Sequence, residues 1–219
     1  GTEELLPRLD PPVDDVLPSN HPVMTQGDYR KLMQWATENA RPFWEEWPSD
    51  PAPTVDEVRE FQIQNASSAV VTIEAQCQYV NEEVAIWYDI TSTPAPSIGD
   101  LDEVARLYTD IVLPRDRYFF GQESDYNEDG VIHVLFSPYV AEVGASAYFH
   151  PCDLMEDPSP TMGCYYGNHA EMVYYAPPEG GMMGSPTAIA ETLAHETSHL
   201  IYFYRKFLLN DMATTMENV

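Results

Sequence analysis

Lysine is almost missing from this chain of 219 residues: only Lys31 and Lys206 occur, and all basic side chains number 10 against 36 acidic ones, a formal charge of −26. A field of that sign repels phosphate backbones and anionic lipid surfaces, which argues against nucleic acid as a partner. No apolar run reaches the roughly 18 residues that a membrane-crossing helix needs, so no transmembrane segment is expected. Internal repeats of about 20–50 residues are missing as well. Cysteine is scarce. Cys77, Cys152 and Cys164 allow at most one internal bridge, and Cys152 and Cys164, separated by a proline-rich loop, are the natural pair; in a reducing compartment they would instead be small buried hydrophobes. There is no signal peptide, and the start Gly1-Thr2-Glu3-Glu4 reads as a chain cut after a removed leader. The resulting expectation is an extracytoplasmic protein, whether secreted, periplasmic or surface-anchored.

The length is enough to bury a core without staples, which permits an enzyme without indicating one. Residues 1–58 form an acidic, proline-rich arm with one helix-like stretch from Gly27 to Asn39, where Tyr29, Leu32, Met33, Trp35 and Ala36 recur at helical spacing. Trp44 and Trp47 suit an arm tethered across a folded body; the plainer alternative is a disordered lead-in. From Glu60 the texture changes. Phe61–Cys77 and Glu83–Ile90 are rich in β-branched and aromatic residues and predict two neighbouring strands, after which Thr91–Ser97 breaks structure. Asp100–Leu113 carries one apolar stripe and predicts an amphipathic helix stopped by Pro114. Short strands are expected at Ile132–Ser137, Ala145–Phe149 and Glu171–Ala176. A last helix begins with the N-cap pair Ser185-Pro186 and runs to about Leu209, so the order of elements is that of an α+β fold.

That helix contains His195-Glu196-Thr197-Ser198-His199. Histidines four apart are separated by about 40° of rotation and one turn of rise, so both imidazoles point the same way and can share a cation. Neutral imidazole nitrogens suit zinc. Glu196, about 100° round from His195, is kept off the metal yet within reach of a water on it, where it can serve as general base and then acid. The reading is a zinc metallopeptidase, a hydrolase acting on peptide or protein substrate through a metal-activated water, with His195 and His199 as metal ligands and Glu196 catalytic. Small residues before the motif and the apolar run Leu200–Tyr204 after it imply a helix buried in a larger domain. The metzincin pattern is excluded, because Tyr202 and Arg205 stand where its glycine and third histidine belong. A glutamate ligand from a following helix is the usual alternative, and the only glutamate after His199 that could serve is Glu217, two residues from the end of the sequence.

The chain resembles the hyicolysin-type zinc metallopeptidases over about residues 60–219. The likeness rests on the motif helix with its aromatic sequel and on Met216-Glu217-Asn218-Val219, which resembles the approach to that family's glutamate-bearing helix. It extends upstream to the acidic turn and strand Asp125–Phe136, the strand Ala145–Phe149 and the stretch Asn168–Tyr175. Thr197 and Ser198 stand where the family has glutamine or arginine. The resemblance implies a zincin-like fold: a small twisted mixed sheet packed on the motif helix, with 59–219 as the N-terminal part of the catalytic domain. It also implies a glutamate third ligand lying beyond Val219 and an outer strand lining the cleft, for which Ala145–Phe149 and Val173–Ala176 are the candidates.

Asp125, Asn127, Asp129 and Gly130 follow the first half of a calcium loop, but Phe136 holds the place of its closing glutamate, so a Ca2+ site there competes with a plain Asx turn. His133, His150 and His169 read as surface or strand histidines. Asn65-Ala66-Ser67 fits a glycosylation sequon. The rival to the enzyme is a non-catalytic surface or binding protein on a zincin scaffold, and a zinc hydrolase of other substrates would use the same chemistry.

Overall fold

The computed structural model describes residues 50–90, 98–155, 164–177 and 184–209. Most of the arm over 1–58, its helix at 27–39, the break at 91–97 and Glu217 lie outside the described residues. The first expected strand, Phe61–Cys77, is two. β1 (Val58–Gln64) and β2 (Val70–Val80) form an antiparallel hairpin, because the Asn65 side-chain oxygen accepts the N–H groups of Ser67 and Ala69, both at 3.0 Å, and Ser68 takes a φ of 63°. β3 (Val84–Asp89) pairs antiparallel with β2, as expected, across a turn in which Asn81 caps Glu83 and Val84.

Pro114 does not stop the next helix. α1 (Ile98–Leu107) passes through a π-helical turn (Tyr108–Val112) into α2 (Leu113–Phe120). The Leu113 N–H reaches back to the Tyr108 oxygen, five residues away, so the widened turn resets the hydrogen-bond ladder just before the proline. Pro114 then occupies the first turn of a new segment, where its missing N–H costs nothing. At the far end Gly121, at φ 95°, leaves room where a Cβ would meet the Arg205 side chain.

β4 (Ile132–Phe136), α3 (Pro138–Glu142), β5 (Ala147–Phe149), a 3-10 turn (Pro151–Leu154), β6 (Met172–Tyr175) and α4 (Pro186–Phe203) follow; α4 continues as a π-helical stretch through Leu209. The six strands make one mixed sheet in the order β1-β2-β3-β4-β6-β5, parallel through β3, β4 and β6 and antiparallel elsewhere. The parallel strands are buried at every position, which explains their unbroken apolar reading. Val84, Ile86, Val134, Phe136, Val173 and Tyr175 face α1 and α4; Ala85, Trp87, Leu135, Met172 and Tyr174 pack on the other face with Phe61, Ile73 and Tyr148. Among the described residues no helix is long and apolar enough to cross a membrane.

The sheet curls until β1 and β6, which are not neighbours in it, are stitched together by one loop. Asn168 docks on β1 as a short strand would, accepting the Gln62 N–H at 2.8 Å and donating to the Gln62 oxygen at 2.9 Å; its amide also donates to the Tyr174 hydroxyl at 2.6 Å. Behind it, Asp153 accepts from the Asn168 N–H at 2.7 Å and the Tyr174 hydroxyl at 2.8 Å. Burial pushes the Asp153 carboxyl up to about 8 and that of Glu171 to about 7. Each folded group thus keeps a proton that the unfolded chain releases near pH ~4. Their contribution to stability is fully present below that value and is lost as pH rises to about 7 for Glu171 and about 8 for Asp153. Asp129 acts oppositely: burial raises its pKa, but His133, the Val131 N–H and Asn127 together outweigh that and hold it low, so its contribution is lost in acid. Thermal melts should therefore show a lower midpoint at pH ~9 than at pH ~6, and Asp153→Asn should flatten that alkaline decline.

Candidate functional site

The site is built on α4. Ser185 accepts the Ala188 N–H at 3.2 Å and Pro186 opens the helix, matching the cap expected from the sequence. Ile189, Ala190, Leu193, Thr197, Leu200, Ile201 and Phe203 form its buried face, which leaves Glu191 and His195 exposed and His199 half-buried. His195 and His199 come together as their spacing predicts: their Nε2 atoms are 3.1 Å apart and the rings stand nearly perpendicular, at 87°. One imidazole N–H faces the other's lone pair, the arrangement that a cation between them would replace.

Glu196 lies across the boundary of core and surface, 9 % exposed. Its Oε2 accepts the Phe149 backbone N–H of β5 at 3.1 Å. Burial raises its pKa, while the neighbouring His195 and the Phe149 N–H partly offset the rise. The next residue, Thr197, is fully buried, and its hydroxyl is 2.6 Å from the Tyr108 hydroxyl in the π-helical turn. That contact joins the π-helical turn to α4 one residue from Glu196. Sequence reasoning had no signal for Tyr108, which looked like one more residue of an apolar stripe.

The two candidates for the outer strand separate here. β6 is interior, between β4 and β5, and β5 is the last strand of the sheet. The Ala176 N–H bonds to the Ser146 oxygen, so by alternation Tyr148 turns its backbone groups toward β6 while Ala147 and Phe149 turn theirs outward. β5 also runs in step with α4. Ala147 pairs with Tyr175, whose hydroxyl faces Thr192, and Phe149 sits over Glu196. Two strand residues span about 6.6 Å and four helix residues about 6 Å, so strand and helix stay in register across the site.

The other histidines are tied elsewhere. Trp87 donates its indole N–H to His133 Nδ1 at 2.9 Å; an indole only donates, so His133 carries its proton on Nε2 and gives it to Asp129 at 2.8 Å. His150 stacks on Tyr166, and its Nε2 donates to the Tyr166 oxygen at 3.2 Å. His169 stacks on Tyr126. In the acidic turn, Asp125 accepts the Gly130 N–H, Asn127 donates to Asp129, and Asp129 accepts the Val131 N–H two residues on, the contact of an Asx turn.

Among the described residues no group of three or more His, Cys, Asp or Glu side chains is placed to hold one metal ion, so α4 offers two nitrogens and no third ligand. The Cys152–Cys164 bridge expected from the sequence is present, fully buried, with its Cα atoms 5.7 Å apart. Its cluster includes Phe149 of β5 and packs Leu154 and Met155 against Leu200, Ile201 and Phe203, which supports the half of α4 that carries His199. No protein-family model matches the chain, and no curated protein matches it in sequence.

Proposed function

We propose that the protein is a zinc-dependent metallopeptidase with a zincin-like fold, similar to the hyicolysin-type enzymes. The observation that carries this reading is the pair of Nε2 atoms 3.1 Å apart on the solvent side of one helix. Two nitrogens about 2.05 Å from a common centre at that separation subtend about 98°, close to the angle of a tetrahedral zinc site, so the donor pair fits the ion. His195 and His199 would hold it, with a third ligand from outside the described residues. Bound there, zinc supplies positive charge that polarises a peptide carbonyl and acidifies water.

The chain's own residues supply the rest. Glu196 lies between the exposed face of α4 and the β5 backbone, where its carboxylate can take a proton from water and pass it to a leaving amine. The outward backbone groups of Ala147 can pair with an extended peptide and hold it along the motif helix. Burial under β5 limits water around the carboxylate.

Metal analysis of the full-length gene product should find about one zinc per chain. Chelation should abolish hydrolysis of a denatured protein substrate, readdition should restore it, and His195→Ala or His199→Ala should each weaken zinc binding by tenfold or more. A chain that holds no zinc, or that holds zinc and cleaves nothing, would instead be a binding protein on this scaffold.

A further inference from the structure

We propose that Glu191 selects substrates with a cationic side chain, lysine or arginine, just after the cleaved bond; this rests on the peptidase reading above. Glu191, His195 and His199 lie four apart on α4, so Glu191 shares their face one turn, about 6 Å, toward the helix start. It is exposed, and among the described residues it has no hydrogen-bond or ion-pair partner. Nothing in the packing of the helix calls for a carboxylate at that place.

The position of β5 says which part of a bound peptide Glu191 would meet. The Ala147 end of the strand lies over the Thr192 turn and the Phe149 end over Glu196. A peptide added antiparallel to β5 runs from the Phe149 end to the Ala147 end. If its scissile carbonyl is opposite His195 and Glu196, the residues that follow it pass Glu191. The basic groups nearest along the helix, Arg205 and Lys206, are about 15 Å beyond His195 at the opposite end, so they do not neutralise that carboxylate. The formal charge of −26 attracts cationic peptides from a distance, and Glu191 supplies the local contact that turns attraction into selection.

The test uses the zinc-loaded full-length protein and three peptides identical except for lysine, glutamine or glutamate immediately after the scissile bond. At low salt, kcat/KM for the lysine peptide should exceed that for the glutamine peptide roughly three- to fivefold, and the advantage should shrink in about 0.5 M salt. Glu191→Gln should erase the difference and Glu191→Lys should reverse it in favour of glutamate, with circular dichroism and zinc content unchanged in both. Equal cleavage of the three peptides by the wild type, or a lysine preference that survives both substitutions, overturns the role of Glu191 and leaves the peptidase intact. Cleavage of none of them removes the peptidase reading, and this inference with it.

Discussion

Glu196→Gln is expected to lower peptide hydrolysis by about 10²- to 10⁴-fold while zinc content stays at the wild-type level. Glutamine keeps the size of the side chain and can still accept the Phe149 N–H, so β5 and α4 stay docked. What it loses is the capacity to take a proton from water and return it to the leaving amine. The histidines are untouched, which separates loss of chemistry from loss of metal. The pH profile carries the same signature. The acid limb of the kcat/KM profile, set by protonation of the Glu196 base form, should be missing from Glu196→Gln. A variant that retains a tenth or more of wild-type activity would remove Glu196 from the reaction.

Replacing Cys152 and Cys164 together by serine is expected to cost about 2–4 kcal/mol of folding stability, read as a lower denaturant midpoint. The bridge closes a short loop, at a sequence separation of 12, and so removes freedom from the unfolded chain. Both positions are fully buried, so serine also leaves hydroxyls in an apolar cluster. That cluster holds Leu200, Ile201 and Phe203, in the turn of α4 that follows the histidine pair. The double variant should accordingly hold zinc less tightly than the wild type, and reductant under partly denaturing conditions should reproduce both effects. Unchanged stability would mean that packing alone holds the segment between β5 and β6.

How far the sequence could be read followed the range of the forces involved. Ser185-Pro186, the histidine pair and the short apolar strands depend on neighbours within a turn or two, and each stands where expected. Pro114 misled because a π-helical turn lets a helix continue past a proline, and nothing in the residue types announces such a turn. Phe61–Cys77 ran together because Asn-Ala-Ser-Ser looks like a modification signal as much as a turn. His133 and Asp153 gave no sign of their partners, since Trp87 and Tyr174 are 46 and 21 residues away from them.

By itself, then, the amino-acid order determined an acidic α+β protein and a helix with two imidazoles on one side, because helical periodicity and net charge are properties of the local chain. Only the tertiary structure decided that β5 rather than β6 is the last strand of the sheet, that Phe149 holds Glu196, and that Tyr108 meets Thr197. Those outcomes depend on which distant segments pack together, and the energy that selects them is the burial of two sheet faces at once, which no short stretch of residues encodes.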